Sequence, residues 1–198
     1  MDYDEQAILG RVSLLPHPAK TAFAACCAQR LLPLFARYTQ RTSKGDAASL
    51  TTVLDDVWSS LERATPGLAS GQALAEEMVP DNDVDDWVFE MTYGQNAAAA
   101  IAYAAAVALT GDNQECAWAA YQVYEAADSA AQHLLSDADE STPQYNAALL
   151  AHPLVQTAIS GIYDDLARVE NESGKPQNWL ALKHTAEHEG AAWSHAMP

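Results

Sequence analysis

MTYGQNAAAAIAYAAAVALTG, residues 91–111, carries no charged side chain over 21 positions and contains nine alanines. A segment of this length could cross a bilayer. However, alanine gains little from lipid, and membrane spans consist mainly of Leu, Ile, Phe and Val. Gln95 and Asn96 further interrupt the apolar surface. Because alanine is the best helix former, the segment predicts a helix that is buried inside a soluble protein.

The acidic segment PDNDVDDW, residues 80–87, leads into this helix. An EF-hand calcium loop that began at Asp81 would need Gly at its sixth position and Glu at its twelfth. The chain has Asp86 and Thr92 at those positions. The pattern therefore excludes a calcium site of that kind.

Two interpretations of the aspartates remain. Carboxylates at the N-terminus of a helix bond its free amides and stabilise its dipole, so we predict that Asp86 caps a helix over residues 87–110. The alternative is a functional acidic patch that includes Asp83, Asp86 and Glu90. Asp86 and Glu90 stand one helical turn apart and repel each other mildly. A cap does not require this repulsion, so it favours the functional patch.

The other helices are predicted from apolar residues repeated every three or four positions. Such stripes occur over residues 47–64 and 153–171. Asp112 and Glu115 form a capping box that opens a helix over residues 113–135. No long polar–apolar alternation, the pattern of a strand, occurs. We therefore predict an all-α fold: one domain of seven or eight helices around a central alanine-rich helical hairpin, residues 87–110 and 113–135.

The chain is expected to form a single domain over residues 1–198, with an N-terminal arm over 1–16 and a histidine-rich terminal segment over 176–198. A long helix is expected to start near Pro18. Pro33 lies within its pattern and lacks an amide donor, so we expect the helix to kink or break there.

The charge balance restricts the binding partners. With 27 acidic and 10 basic residues, the net charge is −17, which disfavours nucleic acid and acidic membrane surfaces. The negative charge is compatible with a basic protein partner. Alternatively, it serves only to keep the protein soluble. Three cysteines without framework spacing, together with an acidic N-terminus that lacks an apolar signal region, predict a cytoplasmic protein with reduced thiols. We predict no cofactor, and homo-oligomerisation stays open.

HTAEH, residues 184–188, matches the inverted zinc-protease motif H-x-x-E-H. Those proteases need a further carboxylate ligand far downstream, and only ten residues follow His188. We therefore predict no specific metal site and only adventitious binding of a metal ion by His184, His188 and His195.

Arg30 is the charged residue whose position is hardest to explain. It shares one helical stripe with Phe23, Cys27 and Leu34, and a buried charge is costly unless it is paired. We predict that Arg30 is buried and bonded to a carboxylate, either Asp55 or an acid between Asp83 and Glu90. The alternative is that a kink at Pro33 rotates Arg30 outward.

Three aromatic residues, Trp118, Tyr121 and Tyr124, lie close together in the sequence. We predict that they pack against the protein rather than form a stacking platform for a ligand.

Several motifs resemble those of a known family. They are an F-x-A-C-x-x-x-R-x-x-P block, a Gly-Asp turn and an L-D-x-x-W helix, formed here by Phe23, Ala25, Cys26, Arg30, Pro33, Gly45, Asp46, Leu54, Asp55 and Trp58. The segments VPDNDVDDW, residues 79–87, and HPLVQ, residues 152–156, add to the likeness. The chain resembles the YjaG-like family of uncharacterised bacterial proteins (domain of unknown function 416). The resemblance implies an all-helical, cytosolic bacterial domain and supplies no activity.

Two functions are compatible with these features. The first is a non-enzymatic, acidic module that binds a protein and regulates or inhibits it. The alternative is a small-molecule or metal-dependent enzyme whose site lies near Arg30 and the acids from Asp83 to Glu90. A concave pocket in which Arg30 and several carboxylates converge would favour the alternative.

Overall fold

The computed structural model describes residues 1–81, 86–136, 138, 141–172 and 179–198. Within those ranges the chain forms nine α-helices and no strand, which confirms the predicted all-α class and exceeds the predicted count of helices by at least one. The helices are α1 Glu5–Val12, α2 His17–Thr42, α3 Ala47–Ser60, α4 Leu68–Glu77, α5 Glu90–Thr110, α6 Asn113–Leu134, α7 Pro143–Ala151, α8 Pro153–Glu172 and α9 Trp179–Ala196.

The centre of the bundle is α5, which packs against α2, α4 and α6. Most of its alanines lie in the core, with Ala97, Ala100 and Ala104 fully buried. Small side chains let neighbouring helices approach closely, which explains why an alanine-rich helix occupies the middle. Gly111 ends α5 in the left-handed conformation, at φ 69°, and α6 then returns along it. The predicted central hairpin is thus confirmed.

Three of the helix starts follow the expected chemistry. Asp112 accepts hydrogen bonds from the backbone amides of Gln114 and Glu115, and Asp46 caps α3 through the amides of Ala48 and Ser49. Thr142 likewise accepts a hydrogen bond from the amide of Tyr145, before Pro143 in the first turn of α7.

The predicted cap at Asp86 is wrong. The central helix begins at Glu90, with Phe89 in the N-cap position and no side-chain cap. Asp86 lies too far upstream to reach the first-turn amides and instead accepts a hydrogen bond from Lys44 at 2.8 Å. Glu90 itself places a carboxylate in the first turn, which suits the helix dipole. Asp83 lies outside the described residues.

Of the kink or break expected at Pro33, the break does not occur: α2 continues as one helix from His17 to Thr42. Most of its side chains between Ala19 and Phe35 are buried, and it packs against α3, α5, α6, α8 and α9. Tertiary packing of this extent outweighs the cost of one missing amide donor.

Both ends of the described chain are tied to the bundle. Ile8 and Val12 of α1, within the predicted N-terminal arm, are fully buried. At the other end, Arg37 of α2 donates hydrogen bonds to the carbonyls of Ser194 and Pro198, at 3.0 and 2.6 Å. Within the described ranges, no helix is both long enough and apolar enough to span a membrane.

Candidate functional site

Arg30 lies in the middle of α2 with a guanidinium group that is 5% exposed. Its Nη1 and Nη2 atoms donate to the two carboxylate oxygens of Asp165 on α8, so the planar fork meets the carboxylate with both arms. The Asp165 side chain is 1% exposed. Burial of Arg30 and its bonding to a carboxylate, both expected from the stripe, are therefore present.

A second carboxylate, on α9, also bonds Arg30. Glu189 Oε2 accepts hydrogen bonds from Nε, at 3.2 Å, and from Nη2 of Arg30. The Glu189 side chain is 40% exposed, so it covers Arg30 from the solvent side while Asp165 holds it from within. Arg30 thereby links three helices, α2, α8 and α9.

Arg168 completes the cluster with a second positive charge. Its Nη1 lies 3.3 Å from Asp165 Oδ1, and its Nη2 lies 3.9 Å from Glu189 Oε1. Burial alone would lower the pKa of Arg30, but the charge of Asp165 and the hydrogen bonds raise it above its ordinary value. Burial raises the pKa of Asp165, while the two arginines oppose that rise. Arg30 therefore stays charged inside the bundle.

The approach of α9 to α2 depends on Gly190. A Cβ atom at this position would lie 2.8 Å from both the Cα and the carbonyl oxygen of Arg30, closer than real Cβ contacts come. Only glycine lets the two backbones approach to this distance. The adjacent Glu189 is brought onto Arg30 by the same contact.

A pocket of about 320 Å³ opens above Arg30. Small residues on α8, Ala158 and Gly161, leave the space. A Cβ atom at Gly161 would already stand 3.4 Å from Arg30 Nε. The pocket is lined by Arg30, Val123, Thr157, Ala158, Ser160, Gly161, Asp164, Glu189 and Trp193.

One wall of the pocket has an unsatisfied donor. Trp193 is buried, and its Nε1 has no hydrogen-bond partner within the described part of the chain. Buried donors without a partner are uncommon in folded proteins.

Asp55, Asp86 and Glu90, which were predicted as partners of Arg30, are wrong, and the other predicted acids, Asp83 and Asp85, lie outside the described residues. Asp55 is bonded to Lys183 at 2.6 Å, Asp86 to Lys44 at 2.8 Å, and Glu90 lies 3.9 Å from Arg41. Asp55 follows Leu54 on α3, but Leu54 faces the core and Asp55 faces solvent. Being next to an apolar stripe therefore did not bring Asp55 to Arg30.

The sequence did contain a signal for the true partner. Asp165 lies three residues after Ile162 and four before Val169, on the apolar stripe of α8, whereas its neighbour Asp164 is exposed. An acid on an apolar stripe needs a counter-charge for the same reason as Arg30. Glu189 carried no comparable signal, because its position depends on the close contact at Gly190.

The remaining candidates do not join this cluster. His184, His188 and His195 are exposed on α9, and the described residues contain no group of three or more His, Cys, Asp or Glu that could hold a metal ion. All three cysteines are free and buried. Burial raises the pKa of Cys26 and Cys27 well above its ordinary value, so neither is a reactive thiolate.

The three aromatic residues of α6 differ in environment. Tyr124 stacks on Tyr3, with ring centroids 4.6 Å apart, which is the predicted packing role. Trp118 and Tyr121 remain 40% and 36% exposed, so packing accounts for only part of their surface.

These features define an all-helical, single-domain protein in which a buried arginine–carboxylate cluster forms the floor of a pocket. The chain belongs to the family described as "Protein of unknown function (DUF416)", whose model matches residues 7–192. This match confirms the resemblance to domain of unknown function 416.

Among solved structures, the crystal structure of a DUF416 family protein from Shewanella baltica OS155 is similar to this chain over most of the length of both proteins. It has a TM-score of 0.74 and 19% sequence identity, and the match covers 93% of each chain. At this identity the likeness shows the fold alone. No curated protein matches the chain by sequence.

Proposed function

We propose that this protein binds a small molecule with a positively charged amino group in the pocket above Arg30. The observation that carries the proposal is the convergence of buried Arg30 with the carboxylates of Asp164 and Glu189 at one concave site, while a third carboxylate, of Asp165, bonds Arg30 from the core behind it. A pocket at Arg30 supports the small-molecule part of the alternative function, although its carboxylates are Asp164 and Glu189 rather than the acids from Asp83 to Glu90. Buried or partly buried charges gathered at a pocket are typical of binding sites.

The charge balance of the site selects the class of ligand. Arg30 and Arg168 contribute two positive charges, and the three carboxylates contribute three negative ones. Asp165 is committed to Arg30 in the core, whereas Glu189 and Asp164 reach the pocket and solvent. A ligand ammonium group would balance the excess negative charge, and an anion would be repelled.

The rest of the pocket suits a small polar molecule. Thr157 and Ser160 bring hydroxyl groups to the rim, and Trp193 and Val123 supply apolar walls. Sites of this kind fix orientation with few polar groups on a mainly apolar surface.

A thermal-shift screen tests the proposal. The probes are small ammonium compounds, each paired with a carboxylate or neutral compound of the same size. A ligand at one hundred times its Kd adds about 2.7 kcal/mol to the unfolding free energy, which raises Tm by several degrees. We expect at least one ammonium compound, and none of its matched anions, to do so.

Two variants locate the effect. Asp164→Asn removes one exposed carboxylate at the pocket, and we expect it to reduce the shift. Glu77→Gln removes one exposed carboxylate on α4 and should leave the shift unchanged. The proposal is wrong if no ammonium compound stabilises the protein, or if the two variants respond alike.

We also propose that the protein functions in the cytoplasm, which the free and buried state of its three cysteines supports. Fractionation of cells that express the tagged protein tests this. Recovery in the periplasmic or secreted fraction would contradict it.

A further inference from the structure

The outer face of α6 combines exposed aromatic rings with carboxylates. Trp118 and Tyr121 are 40% and 36% exposed, and Glu125 lies one turn further along the helix. Single exposed aromatic side chains need no explanation, but several on one helix face are typical of a binding surface. We refer to Glu115, Trp118, Tyr121, Glu125 and Asp128 together as the aromatic–acidic stripe.

Neighbouring rings hold the stripe in place. Tyr103 of α5 lies 5.5 Å from Trp118, and Tyr3 lies 5.9 Å from Tyr121, measured between ring centroids. These contacts support one side of each ring while the other side stays open to solvent. Aromatic side chains held in this way lose little conformational entropy when a partner binds.

The carboxylates of the stripe are fixed beside the rings. The hydrogen bond to Glu125 and partial burial raise the pKa of Tyr121 to about 12, and the Tyr124 hydroxyl donates to Asp128 at 3.2 Å. Partial burial and the charges of Asp112 and Glu76 raise the pKa of Glu115. The stripe therefore presents negative charge that its own surroundings do not neutralise.

The charge distribution along the chain supports the same conclusion. No lysine or arginine occurs from Ala64 to Ala167, a segment that contains α4, α5, α6 and α7. That segment holds 16 of the 27 acidic residues. A negative charge of this size, concentrated in one half of the sequence, attracts a basic partner over a long range and repels nucleic acid and acidic membranes.

We propose that the aromatic–acidic stripe is a docking surface for an arginine-rich segment of a partner protein. Arginine fits both components of the stripe, because its flat guanidinium group stacks on aromatic rings and its forked N–H groups bond carboxylates. Lysine also makes cation–π contacts, but its compact ammonium group neither stacks flat on a ring nor bonds both oxygens of a carboxylate at once. A preference for arginine over lysine would therefore identify a specific binding surface. Equal binding of the two would indicate an acidic face that serves solubility alone.

Binding of two synthetic peptides tests this inference. Nona-arginine and nona-lysine carry the same charge, and both are titrated into the protein at physiological salt. We expect nona-arginine to bind at least about five-fold more tightly, the factor that a preference of about 0.5 kcal/mol for arginine at each of the two rings provides. Trp118→Ala and, separately, Tyr121→Gln should each reduce that preference.

Trp87→Ala is the matched control. Trp87 is 48% exposed and lies in the same acidic segment but outside the stripe, so its loss should leave the arginine preference intact. Circular dichroism verifies the helical content of each variant. Glu125→Gln keeps both rings but removes one carboxylate, so it should weaken the binding of both peptides. Equal affinities for the two peptides, or a preference that survives both ring variants, would overturn the proposal.

This docking surface is independent of the pocket. Asp164→Asn should not alter the arginine preference, and Trp118→Ala should not alter the response to an ammonium ligand. Each proposal can therefore fail without the other.

Discussion

Two ion pairs in this protein each join a basic side chain to an aspartate, one pair in the core and the other at the surface. Arg30 and Asp165 have side chains that are 5% and 1% exposed, whereas those of Lys44 and Asp86 are 45% and 70% exposed. Each pair joins segments far apart in the sequence. Water and dissolved ions screen the charges of the exposed pair. The charges of the buried pair are screened much less, so each is stabilised mainly by its partner.

The comparison shows why only one of the two pairs is informative about function. An exposed pair contributes little, because water replaces each partner when the pair opens. A buried pair has no such replacement, so losing one partner leaves an uncompensated charge. The chain keeps Arg30 buried with two carboxylates and maintains a pocket beside it, an arrangement that stability alone does not require.

Replacing Arg30 should have the largest effect. In Arg30→Met the buried carboxylate of Asp165 loses its two-armed partner and keeps only the 3.3 Å contact to Arg168, whose side chain is 40% exposed, so we expect the free energy of unfolding to fall by about 3–5 kcal/mol. Urea denaturation monitored by circular dichroism measures the loss. Adding Asp165→Leu should restore part of it, because the unpaired charge is then removed as well. If Arg30→Met unfolds like the wild type, the cluster is not a coupled unit.

Gly190→Ala should have the next largest effect. Its Cβ atom would meet the backbone of Arg30 at 2.8 Å, and overpacking of this kind costs about 1–3 kcal/mol. Gly10→Ala is the control, because a Cβ atom at Gly10 meets nothing within 4 Å, and alanine in a helix is more stable than glycine by about 1 kcal/mol. Thermal melts should therefore shift in opposite directions, and equal shifts would mean that α9 does not depend on the close contact.

The sequence allowed the burial of Arg30 to be predicted, because one helical stripe already places it between Cys27 and Leu34. It did not allow the partner to be chosen, since that choice depends on which helices become neighbours. Asp165 could have been found from its own stripe on α8, but Glu189 could not, because it reaches Arg30 through the backbone contact at Gly190. The central hairpin was predictable because its signals are local. Its alanines favour a helix through their own backbone preference, and Asp112 caps α6 by bonding amides two and three residues away.

The pair between Arg11 and Glu170 is intermediate in exposure, and its contribution should depend on pH. The bond from Arg11, the strongest influence, lowers the pKa of Glu170. A carboxylate with a lowered folded pKa stabilises the protein above its unfolded pKa, and this contribution is lost as the pH falls through the folded value. Because both side chains are about one-third exposed, screening limits the contribution to less than about 1 kcal/mol.

Arg11→Met should therefore be slightly less stable than the wild type at pH 7. The difference should shrink in acid, once Glu170 is protonated in both proteins. Urea denaturation at pH 7 and at pH 3 measures it. A difference that stays constant between the two pH values would assign the effect to lost packing of Arg11 on Tyr163, whose ring it approaches at 5.8 Å.

The smallest effect is expected at Asp86, where the cap interpretation and the ion-pair interpretation predict different results. If Asp86 capped α5, Asp86→Ala would remove a helix cap. The bond from Lys44 lowers the pKa of Asp86, but both groups face water, so we expect no measurable change in unfolding free energy. Asp112→Ala is the matched control, because Asp112 does cap α6 and its loss should cost about 1 kcal/mol. Parallel urea denaturation of the two variants measures the contrast. Equal losses would show that Asp86 acts as a cap after all.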